Sequence, residues 1–161
     1  MKRKYSLILL ILILAILICC IFTSCKNKNS IDYSVAVLGH NPGSHDDWNL
    51  KQIVSSVKQL ETINSKYDLS KYTTFYDDLY FEDKSLIIIL FVHSHLGASI
   101  SVNSLEKIDT TLYINMVNKE KKYAQYAAAE DYWICILEVN NEDIKEVDVV
   151  ELNSETKKII F

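Results

Sequence analysis

Leu86-Ile87-Ile88-Ile89-Leu90-Phe91-Val92 is apolar at every position. Side chains of a β-strand alternate between two faces, so a run with no polar partner position has to be covered on both sides. The stretch therefore reads as the central strand of a sheet that has packing above and below it. A second nearly all-apolar run, at residues 132–139, has the same character.

Between these two runs the pattern changes. Ala98, Ile100 and Val102 alternate with Ser99, Ser101 and Asn103, as in a strand with one face inward and the other in water. Lys107-Ile108-Asp109-Thr110 then turns into Leu112-Tyr113-Ile114-Asn115-Met116-Val117, so the two strands read as a hairpin. Residues 119–131, with Ala127, Ala128 and Ala129, are expected to connect across the sheet. Beyond 132–139, Asn140-Asn141-Glu142-Asp143 makes a turn, residues 147–152 form a last strand, and Ile159, Ile160 and Phe161 add an apolar tail.

Upstream of the central run, residues 33–38 are β-rich, and residues 39–47 gather two of the three glycines and the single proline around the turn signal Asn41-Pro42-Gly43-Ser44. Residues 50–55 read as another strand. Ser56 is placed to cap a helix over 57–66, where Val57, Leu60, Ile63 and Tyr67 recur three or four apart. The tyrosine- and acid-rich residues 68–83 are expected to be a loop with one or two helical turns. Leu69, Tyr72, Phe75, Leu79 and Phe81 are its expected contacts to the core. The expected fold class is α+β: a mainly antiparallel β-sheet or sandwich with one main helix early in the domain.

The amino terminus has a different logic. Lys2, Arg3 and Lys4 precede an apolar run over residues 7–22, the layout of an export signal. As a helix this run of 16 residues spans about 24 Å. A bilayer core needs roughly 30 Å. Phe22-Thr23-Ser24-Cys25 resembles the lipid-attachment site of bacterial lipoproteins, with small residues just before the cysteine, whereas Cys19 and Cys20 lack that approach. The resemblance implies cleavage of a signal peptide at residues 1–24, a diacylglyceryl group on the Cys25 thiol and acylation of the new amino terminus. Residues 25–32 then read as a polar tether and 33–161 as a single β-rich domain. The domain is expected to be lipid-anchored on the extracytoplasmic face of the cell membrane.

Three of the 17 basic residues fall in the signal, leaving 14 lysines against 21 acidic residues, a balance near −7. That excludes a nucleic-acid surface, which needs clustered positive charge. Of the four cysteines, two leave with the signal and Cys25 takes the lipid, so Cys135, inside Trp133-Ile134-Cys135-Ile136-Leu137, reads as a small buried hydrophobe.

Candidate chemistry is sparse. His93-Ser94-His95 puts two imidazoles on one face of a strand, a start for a Zn²⁺ site that needs a third ligand from His40, His45, Asp46 or Asp47. Ser44-His45-Asp46 has the residue types of a hydrolase triad, but neighbours in sequence seldom converge and the Gly-x-Ser-x-Gly nucleophile elbow is absent. Asp77-Asp78 and Glu82-Asp83 read as a solvated surface, and three glycines hardly make a phosphate loop. No catalytic residue, metal ligand or cofactor is assigned. Tyr123, Tyr126 and Tyr132 mark an expected contact surface, because amphipathic rings favour protein interfaces.

From about residue 55 to 152 the order of elements resembles a set of uncharacterised lipoproteins from Gram-positive bacteria related to the C-terminal domain of the PrcB protease-complex subunit. The resemblance rests on Ser56-Val57-Lys58-Gln59-Leu60, on Tyr80-Phe81-Glu82-Asp83-Lys84-Ser85-Leu86, on Ser101-Val102-Asn103-Ser104-Leu105-Glu106-Lys107 and on Trp133-Ile134-Cys135-Ile136-Leu137-Glu138-Val139. It implies a non-enzymatic surface domain that steadies or contacts another envelope protein. The alternative expectation is a metal-binding or metal-dependent envelope protein using His93 and His95.

Overall fold

The central run lies within β4 (Lys84–His95), which pairs with β7 (Ala128–Asn140) on one edge and with β3 (Leu50–Val54) on the other. The structure, a computed structural model, describes residues 29–41, 47–95, 99–121 and 128–159. β2 (Tyr33–His40) pairs with the far edge of β7, giving one antiparallel sheet of order β2-β7-β4-β3. A second sheet has the order β1-β5-β6-β8. Its strands are β1 (Ser30–Ile31), β5 (Ser99–Ile108), β6 (Thr111–Lys121) and β8 (Val149–Ile159). The chain from Ile31 to Phe161 forms one unit; of the other unit, Met1–Ser30, only Asn29 and Ser30 are described.

The two faces of β4 serve two cores. Ile87 and Ile89 point with Cys135, Leu137 and Val139 into the layer between the sheets, where they meet Leu105, Leu112, Ile114 and Met116. Leu86, Ile88 and Leu90 point with Ile134 and Ile136 to the opposite face, which the helices cover. Each of these β4 side chains is fully buried, stabilising the fold by about 1.5–3 kcal/mol apiece. Val92, the last residue of the apolar run, is instead exposed, because the pairing with β3 stops at Leu90.

α1 (Val57–Tyr67) forms where its spacing predicts and packs Leu60, Ile63 and Tyr67 onto the sheet. The Ser56 side chain accepts from the Gln59 backbone N–H, and Asp68 ends the helix in a left-handed conformation, its N–H donating to Asn64 O. α2 (Ser70–Thr73) and α3 (Asp78–Asp83) follow. Leu69 and Phe81 are buried and Tyr72 is partly buried, as expected. Phe75 and Leu79, also expected in the core, are 87% and 72% exposed. Phe81 faces inward from α3, and Leu79, two residues earlier on a helix of about 3.6 residues per turn, is thereby rotated to the opposite side. Phe75 lies in the turn between the two helices.

The hairpin of β5 and β6 closes at Asp109 and Thr110, with Asp109 at a φ of 53°. Several strand boundaries differ from the sequence reading. Most of the expected connection at 119–131 is strand, since β6 runs to Lys121 and β7 begins at Ala128. β8 starts at Val149 and continues to Ile159, well past residue 152. β8 also lies parallel to β6, whereas β5 with β6 and the pairs of the β2-β7-β4-β3 sheet are antiparallel. Parallel neighbours need a crossover. Here β7, running back through the facing sheet, provides it, and Ile144 in the following turn is buried between the sheets.

Candidate functional site

Two places on the domain hold side chains that the packing of the core does not by itself explain. The first is one end of the layer between the sheets. Moving along β4 and β7, the apolar rungs give way to Phe91 stacked on Trp133, ring centroids 6.3 Å apart, and then to the paired positions His93 and Asp131. On the facing strand β6, Met116 is followed by Asn118 and Glu120 at alternate positions. Asp131, Asn118 and Glu120 are all buried.

Burial of an ionised carboxylate requires partners. Asp131 has two: His40 Nδ1 lies 2.7 Å from one oxygen, and Trp133 Nε1 donates to the other at 3.0 Å. The His40 ring also lies against Trp133, with centroids 4.2 Å apart. Across the layer, Asn118 Nδ2 donates to Glu120 Oε1 at 3.1 Å and is 2.5 Å from His93 Nε2. Asn118 Oδ1 has no hydrogen-bond partner among the described residues. Trp48 closes the helix side of β7, its Nε1 donating to Trp133 O at 2.9 Å and its ring edge-on to Tyr67 and Tyr132. A shallow notch of about 320 Å³ lies between Trp48, Asn49, Phe91 and Val92.

The structure thus engages His93 with Asn118 and His40 with Asp131, and Asp47 with Lys66 at 2.8 Å. Among the described residues, no three of His, Cys, Asp and Glu converge as a metal site requires. The side chain of His95 and the whole of His45, Asp46 and Ser44 lie outside the described residues, as do Tyr123, Tyr126 and Cys25. Tyr132 is half-buried and donates to Glu130 at 2.7 Å. Cys135 is fully buried, and that burial pushes its thiol up to about 12, so it is not a nucleophile at neutral pH. No described helix is long and apolar enough to cross a membrane.

The second place is the surface of α3. The Asp77 side chain accepts from the Tyr80 backbone N–H at 2.9 Å and caps the helix. Asn141, in the turn after β7, holds the other end. Its Nδ2 donates to the carbonyls of Phe81 and Glu82, its backbone N–H donates to Asp83 O, and Ser85 Oγ donates to its side-chain oxygen at 2.6 Å. These bonds satisfy carbonyls that a helix end otherwise leaves open. Tyr76 and Tyr80 pack edge to face at 4.7 Å, and Tyr76 OH donates to Glu138, which also accepts from Ser34. Burial and the nearby Glu138 raise the pKa of both tyrosines, holding them protonated.

On this fixed base Phe75 and Leu79 project into solvent, the two most exposed large apolar side chains among the described residues. Four of the nine residues from 75 to 83 are acidic and none is basic. The sequence carried only part of the signal: Asp77 can cap a helix, but that Phe81 rather than Leu79 faces the core is set by packing against the sheet.

No family model, curated protein or solved structure matches this chain.

Proposed function

We propose that the chain is a lipoprotein anchored through Cys25 to the extracytoplasmic face of the cell membrane, and that its β-rich domain binds or stabilises another envelope protein without catalysing a reaction. The observation that carries this reading is the exposure of Leu79, on a short helix pinned at both ends, and of Phe75, in the turn that leads into it. An isolated exposed leucine is ordinary, but two large apolar side chains at 87% and 72% exposure, one in the turn before a capped helix and one on it, form the kind of anchor that protein interfaces use. The resemblance of residues 55–152 to the PrcB-related lipoproteins, read from the sequence alone, is in keeping with the same role. The basic and apolar leader ending in Ser24-Cys25 supports the anchor.

Crosslinking in native membranes tests the reading. The wild-type protein should recover a reproducible partner, and Phe75→Ser/Leu79→Ser should lose it while remaining in the membrane fraction. Equal recovery by the double variant, or no partner from the wild type, overturns the reading. The anchor has its own test, in which mass spectrometry of the protein from its host finds residue 25 as the acylated amino terminus. An unmodified Cys25 still joined to residues 1–24 overturns it.

A further inference from the structure

We infer that the α3 surface docks a basic protein segment, one that presents a large apolar side chain flanked by lysine or arginine. This inference rests on the protein-binding role proposed above and names the chemistry of the partner. Phe75 and Leu79 supply apolar surface, and the charged residues of the segment 75–83 that carries them are of one sign: Asp77, Asp78, Glu82 and Asp83 are all exposed. Lys84 begins only where the helix ends, and Lys71, at the far side of the turn, has its ammonium over the Tyr72 ring at 4.6 Å. A ligand that covers Phe75 and Leu79 must therefore bring its own positive charge or meet uncompensated carboxylates.

That requirement discriminates among occupants. A second copy of this chain, docked across a two-fold axis, would set the same four acids against themselves. An anionic lipid surface would be repelled in the same way, even though exposed Phe and Leu are otherwise suited to a membrane interface. A basic segment satisfies both halves of the surface at once. Because Asp77 and Asn141 already fix α3, and Phe81 anchors it to the sheet, docking does not have to order the helix first.

The test uses the full-length protein in detergent micelles and three synthetic peptides: Lys-flanked Phe and Leu, the same apolar residues flanked by Glu, and the lysines with Phe and Leu replaced by Ser. Fluorescence anisotropy should detect binding of the first peptide only, weakening as salt rises from about 50 to about 500 mM. Phe75→Ser/Leu79→Ser and Asp78→Asn/Glu82→Gln should each weaken that binding roughly tenfold. All four positions are exposed, and unchanged thermal unfolding confirms that the variants fold. Equal binding of the Glu-flanked or Ser-substituted peptide, or insensitivity to either double variant, overturns the inference. So does binding to vesicles of anionic lipid that is lost in Phe75→Ser/Leu79→Ser, which would assign the surface to the membrane. If none of the peptides binds while crosslinking still recovers a partner through Phe75 and Leu79, the partner chemistry is wrong and the proposed function stands.

Discussion

Asp131 shows how a charged residue is kept inside this domain. Its two oxygens are taken by an indole N–H and an imidazole nitrogen, so truncation removes an acceptor from Trp133 and a partner from His40 together. Asp131→Ala should destabilise the fold by about 2–4 kcal/mol, and Asp131→Asn by less because an acceptor oxygen survives. Urea unfolding at neutral pH reads both values. The Asp47 and Lys66 pair makes the contrast: it is equally short, but both side chains are more than half exposed, and Asp47→Ala should cost under about 1 kcal/mol. Sequence alone placed Asp131 in a connection rather than in a buried pair, because its partners lie 91 residues away and across one turn of strand alternation.

Among the elements, α1 was legible almost to the residue because both of its ends are local. Ser56 caps the Gln59 N–H, Gln59 Oε1 reaches back to accept from the Ser55 N–H at 2.8 Å, and the apolar stripe between them has helical spacing. Ser56→Ala should cost about 1 kcal/mol, measured by the shift in denaturation midpoint, while Lys58→Ala on the exposed face should leave stability unchanged within about 0.5 kcal/mol. α3 was less legible. Its inward face is set by the sheet residues against which Phe81 packs and its end by Asn141, some 60 residues later, and both lie outside 68–83. Without them Phe75 and Leu79 looked like core, since an apolar residue in a short segment carries no mark of which way it points.

At the scale of the whole molecule, burial couples stability to alkaline pH. The Cys135 thiol is pushed from an ordinary value of 9.0 up to about 12 by burial, and Tyr33, Tyr76 and Tyr80 are raised too, chiefly by burial. In each case the folded protein holds a proton that the unfolded chain releases at lower pH. The stabilisation is therefore complete below the unfolded value and lost as pH rises through the folded one. The thermal midpoint should fall progressively as pH climbs from about 9 toward about 12, and a thiol reagent at neutral pH should label Cys135 only after denaturation. A midpoint that stays flat across that interval, or labelling of the native protein, contradicts the assignment.

The sequence by itself determined the central strand, the main helix, the hairpin and the two-layered demand of residues 86–90, because apolar periodicity and helix capping are properties of neighbouring residues. Tertiary structure alone decided that β8 lies parallel to β6, that Asp131 is paired with His40 and Trp133, and that Phe75 and Leu79 face solvent. Each of these depends on groups brought together from distant parts of the chain. Which strand lies beside which, and which side of a short helix is covered, are settled only when the sheets close over a shared core.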